Sequence, residues 1–292
     1  MSSNLRGKVV FVTGGARGIG AATARALVRE GASVILVDLD EEPLRAVANE
    51  LGDNALGVVA DVSDLDAMTK AASSGIERFG GIDLVLANAG IASYGSVAQV
   101  DPQMFKRVID VNILGAFHTV RATLPSVTER KGYYLIVSSL AAFAAAPGMA
   151  SYDASKAGVE HFANALRGEM AEHGVGVGSA HMSWIDTPLV QDAKSDLPSF
   201  QEMLAKLPGP LGKTAPVQDC VDAFVAGLAE RKRRVYVPRW VGVIGWLRML
   251  LTTGPLERST LKRSPGVVDQ MDAEVVQLGR YTSARNERMS GH

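Results

Sequence analysis

Residues 8–20, KVVFVTGGARGIG, followed by AATARALVREG to Gly31, decide how this chain folds. Residues 8–13 are β-branched and nearly continuous in apolar character, as in a strand buried on both faces. Residues 21–31 read as a helix that ends at Gly31. Between strand and helix stand Gly14, Arg17, Gly18, Ile19 and Gly20. Glycines there allow a tight turn and close backbone approach. The helix start then presents free N–H groups to a phosphate. Many tight turns carry glycine for geometry alone, but this strand-to-helix setting reads as a pyrophosphate cradle. The spacing is Gly14-x3-Gly18-x-Gly20 rather than G-x-G-x-x-G.

The same alternation continues outward. Residues 33–37, SVILV, form a second strand that ends at Asp38, eighteen residues beyond Gly20. A carboxylate at that distance can accept from both hydroxyls of an adenosine ribose. It would repel a 2′-phosphate, which argues for NAD. Arg17 argues the other way, because a guanidinium pairs well with phosphate, and NADP stays open. Asp38 can instead cap the helix that begins near Asp40. Strand ALGVVA ends in Asp61-Val62, and Asp61 reads either as an acceptor for an adenine amino group or as a turn residue. Ser63 with Asp66 resembles a capping box for a helix over 64–79. Strand 82–87 runs into Asn88, Ala89 and Gly90, a second small turn where backbone can approach a cofactor.

Asp101-Pro102 is a helix start with Pro at the first position. Asn112 falls inside the helical stretch that follows, where its side chain is locally unfavourable; it marks either a functional site or a satisfied buried amide. Strand 133–138, YYLIVS, delivers Ser138 and Ser139 at its carboxyl end, where ligands sit in open α/β sheets. Tyr152 and Lys156 stand one helical turn apart on one face. A phenol beside an ammonium, with the Ser139 hydroxyl near, is a proton-transfer device. VGVGSAHM and, later, VYVP add strands. Helices fill every gap between strands. The expected fold is a Rossmann-like, doubly wound parallel sheet of about seven strands, with helices on both faces and right-handed crossovers. No shift in composition divides residues 1–238, so they read as one domain.

The 292 residues carry a formal charge of −1, which gives no general case for nucleic acid. The run Arg231, Lys232, Arg233, Arg234 reads as a solvated helix end. The single cysteine, Cys220, excludes an intrachain disulfide and reads as a core residue. His118, His161, His173, His181 and His292 show no metal-ligand spacing, so no metal is expected. The N-terminus lacks the apolar stretch of a secretory signal, and no apolar run reaches the roughly 18 residues of a membrane span. The expected placement is the cytoplasm.

Over roughly residues 7–238 the chain resembles the short-chain dehydrogenases/reductases. The resemblance rests on Thr13-Gly14-x3-Gly18-x-Gly20, Asp38, Asp61-Val62, Asn88-Ala89-Gly90, Asn112, Ser139 and Tyr152-x3-Lys156, all in order. It implies an oxidoreductase that interconverts an apolar secondary alcohol and its ketone with NAD or NADP; the alternatives are an NADP-dependent carbonyl reductase and a non-redox or dinucleotide-sensing protein of the same fold. Tyr152 would be the general acid/base, and Lys156 would lower its pKa and bond the nicotinamide ribose. Ser139 would hold the substrate oxygen, and Asn112 a water linking Lys156 to solvent. Family members are commonly homodimers or homotetramers. Where the family commonly has Pro-Gly after the sixth strand, this chain has Ser183-Trp184. Thr187, which would bond the nicotinamide carboxamide, is kept. Trp184 reads either as a wall of the substrate site or as a packing aromatic.

Residues 188–215 stand where the family has a substrate lid. Leu189, Val190, Phe200, Met203 and Leu204 there suggest an apolar substrate, or else an ordinary packing loop. Residues 239–292 extend past the usual family end. RWVGVIGWLRMLL, with Trp240, Val243, Ile244, Leu247, Leu250 and Leu251 at helical spacing, has three readings: a subunit-packing helix, a lid over an apolar pocket, or a helix lying in a membrane surface. The last is the least favoured of the three. The polar tail RYTSARNERMSGH is expected to fray.

Overall fold

The structure, a computed structural model, describes residues 4–251 and 253–289. Residues 1–3 of the polar N-terminus, residue 252, the side chains of Leu251 and of residues 254–265, and residues 290–292, with His292, lie outside the described residues. The chain alternates strictly at first: β1 (Val9–Thr13), α1 (Gly18–Arg29), β2 (Ser33–Asp38), α2 (Glu41–Leu51), β3 (Ala55–Val59), α3 (Leu65–Phe79), β4 (Leu84–Ala87). Then come α4 (Pro102–Ile109), α5 (Gly115–Glu129), β5 (Tyr133–Val137), α6 (Ala150–Glu169) and β6 (Gly176–Met182). α7 (Pro188–Asp196), α8 (Pro198–Lys206), α9 (Val217–Glu230) and β7 (Arg234–Val237) follow. α10 (Val241–Leu251), α11 (Gly254–Leu278) and α12 (Ala284–Met289) make up the extension.

The seven strands form one parallel sheet, as the alternation predicts, and their order is β3-β2-β1-β4-β5-β6-β7. β1 is the pivot: Val10–Val12 pair with β4 on one side, and all of β1 pairs with β2 on the other. Successive residues point to opposite faces, so Val10, Val12, Val34 and Leu36 join one core with α1, α2 and α9. Val9, Phe11, Ile35 and Val37 join the second, with α3, α5 and α6. Cys220 is fully buried in the first core, and burial pushes its thiol up to about 12.

Three local readings need correction. Asp64, not Ser63, caps α3, its carboxylate accepting from the N–H groups of Asp66 and Ala67; Ser63 turns back to Asp61 instead. The helix that starts at Asp101-Pro102 is interrupted, because residues 110–114 form a π-helical turn before α5. The basic run is not all solvated: Arg231 ends α9 with φ +52°, but Arg234 starts β7 and bonds the buried Glu160 at 2.7 Å.

The expected fraying of the tail is also overturned. Tyr94 N–H donates to the Tyr281 carbonyl (2.7 Å), the Thr282 hydroxyl donates to the Ala92 carbonyl (2.8 Å), and Arg280 pairs with Asp196 (2.6 Å). Thr282 and Ser283 are buried. α11 contributes Met271 and Val275 to a third apolar cluster with Tyr94, Val190, Leu197, Phe200 and Leu204. Its Asp272 accepts from Ser96, and its Glu274 from Ser199. α10, by contrast, exposes Val243, Trp246, Met249 and Leu250, with Trp246 83% exposed. Among the described residues no helix is long and apolar enough to cross a membrane.

Phe224 of α9 is fully buried against the sheet. Phe224→Ala is expected to cost about 3–5 kcal/mol, read as a fall in urea midpoint with an unchanged slope.

Candidate active site

The parallel strands all end on one edge, and β1 and β4 lead their crossovers in opposite directions. The crevice at that divergence is where open α/β sheets hold ligands. Here it becomes two adjoining cavities. One runs from Asp38 and Asp61 past the glycine turn to Lys156. The other is lined by residues of α6, α7, α8, α11 and the loops after β4, β5 and β6. Tyr152 lines both, with Ile19, Met182, Thr187 and Leu189.

The first cavity fits a dinucleotide. Gly14 and Gly18 have φ of +67° and +53°. A Cβ on Gly20 would lie 2.0 Å from the Gly14 carbonyl oxygen, so no side chain can stand there. Arg17, at the N-cap of α1, makes no side-chain capping bond, which leaves the first-turn N–H groups open to an anion. Asn88 braces this turn: its amide donates to the carbonyls of Thr13 (3.1 Å) and Gly14 (3.3 Å), and the Thr13 hydroxyl accepts from the N–H groups of Asn88 and Ala89. Thr187 is the N-cap of α7 and lies with Pro188 near Gly18.

Asp38 ends β2 with one oxygen on the Ala16 N–H (3.0 Å) and the other on the Asp40 N–H (3.1 Å). Burial raises its pKa, against the pull of those N–H groups. Asp38 therefore faces the cavity and also steadies the start of α2, although Asp40 is the N-cap. The Arg17 guanidinium is held by Asp40, at 3.1 and 2.9 Å. Asp61 accepts from Ser63 and from Arg107 (2.7 Å). Burial works to raise its pKa, but these bonds together hold it below the usual range. Val62, Ala89 and Gly90 complete this wall.

At the inner end the side chains converge. The Lys156 ammonium donates to the Val137 carbonyl (3.0 Å) and sits 5.6 Å from the centre of the Tyr152 ring. A Cβ on Gly90 would lie 3.3 Å from Lys156 Nζ and 3.2 Å from Asn112 Oδ1, so glycine keeps this corner open. Asn112, in the π-helical turn, is a satisfied buried amide: Oδ1 accepts from the Ile91 N–H (2.8 Å), and Nδ2 donates to the Ile91 carbonyl (2.9 Å) and the Ser155 hydroxyl (2.8 Å). Ser155 in turn donates to the Tyr152 carbonyl. Asn112 thus fastens the loop after β4 to the turn that carries Tyr152. Ser138 donates to the Lys156 carbonyl and is structural; Ser139 faces the second cavity and bonds Tyr152. Burial pushes the Tyr152 phenol up to about 12, against the Ser139 bond that lowers it. Burial alone pulls the Lys156 ammonium down to about 8.

The second cavity is about 140 Å³ in volume. Leu189, Val190, Leu197 and Phe200 of the 188–215 segment line it, and Trp184 does so while packing edge-on against Phe200, ring centres 5.2 Å apart. Met203 and Leu204 pack behind, in the third apolar cluster. The wall is apolar apart from a few groups, and among its described lining residues there is no Lys, Arg or His.

Two contributors escape sequence reasoning. His181 on β6 places Nδ1 3.3 Å from the Ser139 carbonyl and Nε2 2.9 Å from Glu160, with Phe143 stacked on its ring at 4.5 Å. Burial would raise the Glu160 pKa, but the His181 and Arg234 charges and bonds bring it down to about 2. Asp153 is the other: it is buried beside Tyr152, with one oxygen on the Ala146 N–H and the other unpartnered, and burial lifts it to about 7. No spacing rule marks either residue, because each gains its role from a partner on another element. Among the described residues no group of three metal-ligating side chains comes together.

The chain matches the family model described as short chain dehydrogenase over residues 8–198. It is 34% identical over 212 residues to a 3-alpha-(or 20-beta)-hydroxysteroid dehydrogenase of Mycobacterium tuberculosis, covering 72% of this chain and 81% of that one. It is 30% identical over 234 residues to a trans-4-hydroxycyclohexanecarboxylate dehydrogenase of Sinomonas cyclohexanicum, covering 77% and 87%. A short chain dehydrogenase from Mycobacterium paratuberculosis, solved bound to NAD, superposes with a TM-score of 0.70 at 29% identity, over 80% of this chain and 97% of that one. The chain belongs to the short-chain dehydrogenase family and is an oxidoreductase.

An acid whose pKa is raised on folding binds its proton more tightly when folded, so stability falls as pH rises from its unfolded to its folded pKa. For Asp153 that window runs from about 4 to about 7. Relative to Asp153→Asn, the parent chain is expected to lose on the order of a few kcal/mol across it, measured by urea unfolding at pH 4 and pH 8.

Proposed function

We propose that the protein is an NAD-dependent dehydrogenase, or the reverse ketone reductase, acting on an uncharged apolar secondary alcohol about one ring in size. The observation that carries this reading is the place of Tyr152, at the seam between the dinucleotide-shaped cavity and the apolar one. The nicotinamide, when bound, supplies hydride chemistry. Everything else falls to the chain.

In oxidation Tyr152 Oη takes the hydroxyl proton as the carbinol C–H leaves as hydride; in reduction it returns that proton to the oxygen. Ser139 holds the same oxygen. With burial pushing its pKa up to about 12, the phenol is neutral below that pH and ready to act as the acid. To act as base it needs local positive charge, from Lys156 and from an oxidised nicotinamide, since each unit of lowering takes about 1.4 kcal/mol. Gly14, Gly18, Ile19 and Gly20 would cradle the diphosphate. Asp61, Val62, Asn88, Ala89 and Gly90 would line the adenosine side, and Thr187 would meet the carboxamide. Asn112 acts by positioning. Asp38 and Asp40 place two carboxylates at the ribose corner, and Arg17 is spent on one of them, which supports NAD over NADP.

The substrate size follows from the cavity. At about 140 Å³ it compares with a cavity of roughly 150 Å³ that holds benzene. A four-ring steroid exceeds it. The carboxylate of a hydroxycyclohexanecarboxylate would be buried there without a cation, which is costly. A homodimer or homotetramer is part of this reading; Leu114 and Phe117, exposed beside and on α5, would be covered in it.

With NAD and cyclohexanol-sized alcohols, NADH production is expected, with kcat/KM at least about tenfold above that for trans-4-hydroxycyclohexanecarboxylate and no turnover of hydroxysteroids. Preference for the acid or the steroid would sink the pocket assignment. Tyr152→Phe is expected to lower kcat at least about a thousandfold while leaving NAD affinity within a few-fold. Asp38→Ser should raise the kcat/KM ratio for NADP over NAD by about tenfold or more; an unchanged ratio refutes the ribose assignment.

A further inference from the structure

The extension also enters the cofactor cavity. Ser283, Arg285, Asn286 and Met289 line it, together with Gly14, Arg17 and Gly18. Their position is fixed from below by the Thr282–Ala92, Tyr94–Tyr281 and Arg280–Asp196 contacts. Asn286 is tied to Thr282 and to Ser283.

Four cationic side chains line this cavity among the described residues. Arg17 is held by Asp40 and Arg107 by Asp61, both at hydrogen-bond distance. Lys156 lies at the inner end on the Val137 carbonyl. Among the described residues Arg285 has a loose pair alone, 3.6 Å from Asp192. Asp192 stands one turn into α7, whose first residue, Pro188, packs near Gly18. Arg285 therefore reaches the cavity from the side of α7, the helix whose first residue meets the glycine turn.

From this placement we propose that residues 283–289 form the outer wall of the dinucleotide site and that Arg285 pairs with the diphosphate. The proposal rests on the dinucleotide reading above. A guanidinium opposite helix N–H groups would hold the two phosphates from both sides. The extension would then be part of the cofactor site rather than an appendage.

The test is calorimetry on the full chain with NAD, ADP and adenosine as probes, for the parent, Arg285→Ala and Arg285→Lys, with competition against NADH fluorescence for weak binders. Arg285→Ala is expected to weaken NAD and ADP roughly tenfold and to leave adenosine unchanged, with Arg285→Lys recovering most of the loss. NADH release by stopped flow should speed up by a similar factor in Arg285→Ala. Equal weakening for adenosine would mean general damage to the site. Unchanged ADP affinity would mean that Arg285 serves only Asp192. Either result overturns the proposal while leaving the dinucleotide reading intact. Failure of the parent chain to bind NAD or ADP at all overturns both.

Discussion

The hydrogen bonds between Thr13 and Asn88 hold the mouth of this sheet. β1 and β4 pair as far as Val12 and Leu86, and their crossovers then depart in opposite directions, so these side-chain bonds carry the pairing into the two turns. The Asn88 amide satisfies two carbonyls of the glycine turn, and the Thr13 hydroxyl satisfies two N–H groups of the β4 turn. These groups would otherwise be unpaired at the floor of a cleft. With the two turns fixed to each other, the phosphate cradle and the Asn88–Gly90 wall become one surface. A cofactor set on one is aligned to the other.

The proton-handling end is built by the same means from different parts. The π-helical turn at residues 110–114 lets Asn112 reach both Ile91 and Ser155, so the Tyr152 turn is referenced to the β4 loop. His181 and Glu160 reference Ser139 to β6. Burial then pushes phenol and ammonium toward their neutral forms, Tyr152 up and Lys156 down. A site poised this way is a weak base until a positive charge arrives beside it. That coupling would tie proton removal to the presence of oxidised cofactor.

Much of this was legible in the sequence. Alternating apolar strands and helices set the parallel sheet, and Gly14, Gly18, Asp38, Ser139, Tyr152 and Lys156 each stand where the period and spacing put them, because each is fixed by its own strand end or helix turn. What the sequence hid depends on contacts between distant segments. Arg17 looked available to a phosphate, yet Asp40 holds it. The polar tail after Gly279 looked loose by composition, yet Thr282 and Arg280 find buried partners on the Ala92 loop and α7. Ser63 resembled a cap until Asp64 and Arg107 were placed. Trp184 proved to be both wall and packing group.

The central claim is that hydride transfer takes place at the seam between the two cavities, with Tyr152 handling the hydroxyl proton. The most direct measurement is a single turnover of the full chain with NAD and a cyclic secondary alcohol deuterated at the carbinol carbon, read by mass spectrometry of the reduced cofactor. The account predicts one deuterium in NADH, formed with the ketone in equal amount, and neither product from Tyr152→Phe. NAD bound in the cleft with no deuterium transferred from any alcohol that fills the apolar cavity would contradict it.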